Sequence, residues 1–162
     1  MSIFCWTVSY GVVIVSQMLA ANLPPPPSAS SAAARAVMRG NRKTDSCPEV
    51  RLRSELHRRG LRFRKNVRLR TNDISVVADI VFRSKSLVVF VDGCFWHGCS
   101  AHGNAPRTNS TYWDRKLAGN EDRDRRVDQA LTEAGWNVLR VWEHVPPGEA
   151  AEIIQRLATT AS

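Results

Sequence analysis

Between Val88 and His102 the chain reads VVFVDGCFWHGCSAH, and this short run carries two of its four cysteines and two of its four histidines. Four residues separate Cys94 from Cys99 and two separate Cys99 from His102, so one loop could turn three soft or borderline ligands onto a single ion. A tetrahedral site needs a fourth ligand, and His144, beyond the last apolar run, can supply it. A site built from Cys94, Cys99, His102 and His144 would have no open position. It would therefore be structural, tying the loop to the last strand. The spacing is not that of a standard zinc finger, and buried free thiols beside surface imidazoles are the alternative.

His97 is left over by that assignment. It follows Phe95-Trp96, and Asp79 and Asp92 are expected close by on neighbouring strands. Asp79 interrupts an otherwise apolar run, Val76 to Phe82, where a carboxylate is costly unless paired or bound to a metal. Carboxylates can hold Mg²⁺ while leaving waters on the ion, and a neutral imidazole nearby can take a proton from one of them. That equipment suits phosphodiester hydrolysis. Glu49, in a first helical turn, could orient such a water, or could simply favour the helix dipole. Asp92 could equally be a capped strand end, and His97 a surface imidazole. Adjacent aromatics, Phe95-Trp96 in a glycine-bounded loop and Tyr112-Trp113 at a helix start, suit insertion into a base stack. Met38 is a possible second wedge.

These residues need a scaffold. Asp45-Ser46-Cys47-Pro48-Glu49 has the polar cap, early proline and first-turn acid of a helix start, and the helix runs to about Arg59 and stops at Gly60. Leu61 to Leu69 alternates apolar and basic residues, the period of a half-buried strand. Ile74–Phe82 and Leu87–Val91 read as paired central strands joined by a polar turn. Gly93 to Ser110 reads as a long loop. Helices are expected at Thr111–Ala118 and from an Asn120 cap through Leu131 to a stop at Gly135, then a strand at Trp136–Trp142 and a closing helix at Glu149–Leu157. The order gives an α/β fold, a mixed central sheet flanked by helices.

Charge is uneven along the 162 residues, whose formal net charge is +8. Residues 35–85 hold 15 Lys and Arg against 5 Asp and Glu, whereas residues 86–162 hold 8 against 10. The basic excess suits a polyanionic partner, or a solvated basic face. Residues 1–34 contain no charged side chain or histidine. They comprise an apolar stretch, Ile3–Ala21, then four prolines and a Ser/Ala run, expected to be a disordered extension or a product of a start codon placed too far upstream. A membrane anchor is the other reading, though the stretch lacks a basic leader and Ser, Thr, Tyr and Gln interrupt it. Residues 35–162 are expected to form the functional domain. Four cysteines this unevenly placed do not make a disulfide framework, and reduced thiols suit a cytosol.

The string FVDGCFWHGC (Phe90–Cys99) resembles the core of the very short patch repair (Vsr) mismatch endonucleases. His102-Gly103, Tyr112-Trp113, Asn120-x-x-Arg123-Asp124 and Val138–His144 follow in the family's order, and Met38-Arg39 and Pro48-Glu49 match it upstream. The resemblance implies a restriction-endonuclease-like fold with a structural Zn²⁺ site. The implied activity is a Mg²⁺-dependent nick beside the T of a T:G mismatch, the product of 5-methylcytosine deamination. By resemblance, Asp79 and the main-chain carbonyl of Val91 contact Mg²⁺, His97 assists the water, Glu49 supports the site, and Cys94, Cys99, His102 and His144 bind Zn²⁺. The wedge carries over to Phe95, Trp96 and Trp113. Ser75-Val76-Val77-Ala78 departs from the basic or proline-containing approach that often precedes the strand aspartate in the family. Asp92 varies there, so its place as a catalytic carboxylate rests on the residues alone.

The implied partners are double-stranded DNA with a T:G mismatch and mismatch-repair proteins. No small-molecule cofactor is expected, the chain is expected to be a monomer, and its place is the cytoplasm at the bacterial nucleoid. Two other readings of the same residues are a restriction-associated nuclease cutting matched DNA and a non-catalytic zinc-stabilised DNA-binding module.

Overall fold

The computed structural model describes residues 45–97, 99–102 and 109–160, so the extension at residues 1–34 and Met38 lie outside the described residues. Helix α1 (Cys47–Arg58) begins after Ser46 with Pro48 in its first turn, and Gly60 closes it with a positive φ of 78° that glycine adopts without strain. Leu52 and Leu56, one turn apart, are its buried stripe.

Strands β1 (Arg64–Arg70), β2 (Ser75–Phe82) and β3 (Leu87–Asp92) form an antiparallel meander, and β4 (Asn137–Trp142) runs parallel to β3. The result is a mixed sheet of order β1-β2-β3-β4. Parallel neighbours need a crossover, and helix α2 (Ser110–Glu133) makes it before Gly135 turns the chain into β4 with a φ of 83°. Helix α3 (Pro147–Thr160) closes the order.

Two apolar layers fix the helices to the sheet. On one side Leu52 and Leu56 of α1 and Ala151 and Ile154 of α3 pack with Ile80, Phe82, Leu87, Val89 and Val141. On the other, Val127 and Leu131 of α2 meet Val81, Val88 and Phe90. The continuous apolar run of β3 follows from this, since a strand covered on both faces has no polar side to show.

Two expectations are corrected. The strand that alternation placed from Leu61 starts at Arg64, because Leu61 and Phe63 pack against the α1–α3 layer instead of pairing with β2. The two helices expected at 111–118 and from 120 to the stop at Gly135 are one helix of 24 residues. Asn120 does not cap a new helix: its side-chain amide donates to the Trp96 carbonyl at 2.8 Å. An isolated glycine such as Gly119 costs a helix interior only about 1 kcal/mol, which the stripe Trp113, Asn120, Val127 and Leu131 offsets by burial.

Among the described residues, no helix is long and apolar enough to cross a membrane. Leu131, fully buried, is the main anchor of α2. Replacing it with alanine is expected to lower unfolding free energy by about 2–5 kcal/mol, read as a reduced urea midpoint with unchanged slope.

Candidate active site and metal cluster

The sheet opens where Asp79 stands. β2 and β3 pair from Phe82↔Leu87 to Ile80↔Val89, and at the next step the Asp79 carboxylate, not a backbone carbonyl, accepts the Val91 N–H at 2.8 Å. Asp79 and Val91 are thereby held together at the mouth of the sheet. Burial, with the nearby negative charges of Glu49 and Asp92, pushes Asp79 up to about 6; the Val91 hydrogen bond and Arg53 oppose the rise without overcoming it. Across the other edge of β2, Asn66 occupies the register position opposite Asp79, between the pairs Lys65↔Ile80 and Val67↔Ala78. Its backbone is left-handed, with φ 51°, and its buried side-chain oxygen has no hydrogen-bond partner.

Glu49 reaches this region from the first turn of α1. Its carboxylate is buried and accepts from Asp45 N–H at 3.0 Å, Ser46 N–H at 3.2 Å, the Ser46 hydroxyl at 2.7 Å and Arg53 Nη1 at 3.3 Å. These donors belong to the start of the helix, so Glu49 knits the N-terminus of α1 together while its charge acts on Asp79.

His97 lies in the turn after β3, its Nδ1 2.5 Å from Asp124 Oδ2 and 3.7 Å from Asp92 Oδ1. Asp92 itself is buried, and both of its oxygens accept from Arg140 Nη1, at 2.9 and 3.0 Å. Burial pushes the Asp92 carboxyl up against the opposing Arg140 and His97. For Asp124 the balance is reversed: burial acts to raise it, but the His97 hydrogen bond and the Arg140 charge hold it below the ordinary carboxylate range. An imidazole whose Nδ1–H is held by a carboxylate presents Nε2 as a base.

The four expected metal ligands come together. The ligand atoms of Cys94, Cys99, His102 and His144 all lie within 4.8 Å of one another, with Cys94 Sγ 3.0 Å from His144 Nδ1 and Cys99 Sγ 3.7 Å from the same nitrogen. Cys99 Sγ is 3.9 Å from His102 Nδ1. The two sulfurs are buried and the two imidazoles lie at the surface. Burial, Cys99 and Glu143 push the Cys94 thiol up to about 11. Glu143 accepts the Cys94 N–H at 2.7 Å, orienting the loop that presents the sulfur. This donor set could hold one metal ion.

The aromatics form one cluster. Phe95 is edge-on to Trp96 at 4.9 Å and to Trp113 at 5.3 Å, and Trp96 and Trp113 are 6.1 Å apart. Trp113 is buried, with Phe95 and Trp96 half-buried over it.

A family model described as DNA mismatch endonuclease Vsr matches residues 29–102. The chain is 42% identical over 110 residues to the type II nicking enzyme V.XorIIP of Xanthomonas oryzae, an alignment covering 67% of this chain and 78% of that one. This chain belongs to the Vsr family. It is also 53% identical over 108 residues to the type II nicking enzyme V.NaeI of Lentzea aerocolonigenes, covering 66% of this chain and 65% of that one. To the DNA mismatch endonuclease Vsr of Escherichia coli it is 38% identical over 109 residues, covering 65% and 66%. The match thus spans just under two thirds of the length of the V.NaeI and Escherichia coli proteins.

Three residues of this candidate site escape a reading of residue types. Asp124, half-buried, stands one turn after Asn120 and one before Val127, beside the buried stripe of α2. Dividing that segment into two helices hides the stripe. Arg140 is the one charge in the apolar strand NVLRVW, the same kind of signal as Asp79. Glu143 has no local signal, because its partner is a backbone amide 49 residues away.

Asp79 carries a folded-state pKa above its unfolded value, so its ionisation opposes folding: the penalty is small below pH 4 and complete above about pH 6. Asp79→Asn, measured without added divalent cations, is expected to be more stable than the parent at pH 7.5 by on the order of 2 kcal/mol. The gain roughly halves by pH 5. Paired thermal melts at the two pH values check it, and a less stable variant at pH 7.5 would count against the burial argument.

Proposed function

We propose that this chain is a Mg²⁺-dependent DNA endonuclease of restriction-endonuclease-like fold, stabilised by Zn²⁺, that nicks the strand beside T in T:G mismatches left by 5-methylcytosine deamination. The observation that carries the reading is the pairing of Asp79 with Val91 at the mouth of the sheet, together with a His97 held by Asp124 in the turn that follows β3, in a Vsr-family chain.

Asp79 and the carbonyl of Val91 would hold Mg²⁺. The surplus of buried carboxylate around Asp79 suits a hard divalent cation. When bound, the ion neutralises charge on the phosphate and makes a water more acidic. His97 then takes the proton of the attacking water at Nε2, and Asp124 stabilises the imidazolium that results. The water oxygen bonds to phosphorus, the bond from phosphorus to one ribose oxygen breaks, that oxygen takes up a proton from solvent to become a hydroxyl, and one strand is nicked. Glu49 acts as a fixed negative neighbour that keeps the region attractive to a cation. Asp92, read from the sequence as a second catalytic carboxylate, spends both oxygens on Arg140 and is left outside the proton transfer.

Cys94, Cys99, His102 and His144 would hold Zn²⁺. Tetrahedral coordination at ordinary Zn–S and Zn–N lengths puts ligand atoms about 3.3–3.8 Å apart, close to the spacing found here. Phe95 and Trp96, supported from below by Trp113, form the wedge; Met38 would be a second. A wobble pair is easier to unstack than a Watson–Crick pair, so insertion discriminates in favour of the mismatch. Exposed Arg64, Lys65, Arg68 and Arg70 on the edge strand β1 supply phosphate contacts that add affinity without reading sequence. The proposal places the protein in the cytoplasm, on DNA.

A second reading rests on the relatives' names, since V.NaeI and V.XorIIP are described as type II nicking enzymes. In that reading, matched DNA is cut by the same residues. Full-length chain is to be incubated with methylated T:G and C:G duplexes, with Mg²⁺ or without. Mg²⁺-dependent nicking confined to the T strand is expected, lost on Asp79→Ala with duplex binding largely kept. Equal cutting of both duplexes selects the second reading, and nicking by Asp79→Ala refutes the site.

The metal cluster has its own test. The purified chain is expected to contain about one zinc per molecule. Cys94→Ser is expected to lose that zinc and several kcal/mol of stability, because structural zinc contributes directly to folding. Elemental analysis and thermal melts measure both.

A further inference from the structure

Arg140 sits on β4 opposite Phe90 of β3, with its guanidinium carbon 4.8 Å from the centre of that ring. From there it meets three carboxylates. Nη1 donates to both oxygens of Asp92 at 2.9 and 3.0 Å, and Nε reaches both oxygens of Asp128 at 3.0 and 2.9 Å. Nη2 lies 3.4 Å from Oδ1 of Asp124. One planar cation thus joins the end of β3 to one face of α2, a task that suits a guanidinium fork and not an ammonium.

Two of these carboxylates compete for one proton. Asp124 Oδ2, the oxygen turned away from Arg140, is 2.5 Å from His97 Nδ1, and Asp92 Oδ1 is 3.7 Å from the same atom. Asp92 spends both oxygens on Arg140 and stays out of hydrogen-bond range of the imidazole. Asp124 gives Arg140 only its far oxygen and keeps the near one for His97. Arg123 also lies 3.4 Å from that far oxygen, but its side chain is 58% exposed and its pull is screened by water.

We propose that Arg140 is a positioning residue that withholds Asp92 from His97, so that Asp124 alone takes the Nδ1 proton and sets the direction of Nε2. The inference rests on His97 acting as the base of the proposed nicking reaction. Without the guanidinium, Asp92 is a free buried carboxylate within a small side-chain rotation of Nδ1. The imidazole then swings toward β3, and Nε2 leaves its line to the phosphate. Removing the Asp92 charge as well takes away the competitor and returns the imidazole to Asp124.

The test uses the full-length chain and the variants Arg140→Gln, Arg140→Lys and Arg140→Gln/Asp92→Asn. Single-turnover nicking, duplex Kd, zinc content and the ¹⁵N–¹H side-chain correlation of His97 are the readouts. Arg140→Gln is expected to nick about 10–100-fold more slowly, the loss usual for an orienting partner. Its Kd should stay within about threefold and its zinc content should not change. Its His97 Nδ1–H signal is expected to shift, and the added Asp92→Asn to restore both the signal and most of the rate. Arg140→Lys, which keeps the charge but loses the fork, falls between and serves if the glutamine variant is too unstable to study.

A wild-type nicking rate in Arg140→Gln overturns the inference. So does a slow double variant with an unmoved His97 signal, which assigns Arg140 to stability alone. If the parent chain nicks no duplex, the proposed reaction fails instead, and the His97 signal still decides the role of Arg140.

Discussion

Carboxylate charge taken out of water has to be compensated, and four such groups, Glu49, Asp79, Asp92 and Asp124, converge on the open end of the β2–β3 pair. Each is treated differently. Glu49 is wrapped by the donors of a helix start. Asp92 is clamped by a guanidinium, and Asp124 is shared between that guanidinium and an imidazole. Among the described residues Asp79 receives one backbone N–H, and burial raises it to about 6. The shortfall falls on the residue to which the proposed function gives a divalent cation, and strained charge of this kind is common where chemistry is done.

The loop between β3 and α2 carries nearly everything else the proposed reaction uses, and turn-rich, glycine-bounded chain does not hold a shape unaided. Its described part is tied down from three directions. Cys94 and Cys99 reach His144 beyond β4, Glu143 takes the Cys94 amide, and Asn120 and Asp124 of α2 hold Trp96 and His97. The metal cluster and the candidate base therefore share one short span. An ion bound by the cysteines, as the proposed function has it, would fix the frame within which His97 is aimed, and the uninterrupted α2 supplies the other wall of that frame.

The aromatic cluster obeys the same economy. Phe95 and Trp96 sit half-buried over Trp113, so the surface to which the proposed function gives a base stack is held in place by ring contacts within the fold. Trp136 and Trp142 are half-buried. The first packs against the α2 layer, and the second lies stacked at 6.3 Å against His144.

Residue type and spacing determined much of this protein. The mixed α/β order, the strands around Asp79 and the gathering of Cys94, Cys99, His102 and His144 all follow from periodicity and ligand chemistry, which are local properties. A carboxylate in an apolar strand announces itself for the same reason. What only the tertiary structure decided is which charge meets which. A short helical signal broken at Gly119-Asn120 hides the stripe that brings Asp124 to His97, and nothing local says that Arg140 will divide itself among Asp92, Asp124 and Asp128. Pairings between distant residues depend on the packing of α2 against β4 and the end of β3. Electrostatic partners are chosen by distance in space, to which spacing along the chain is blind.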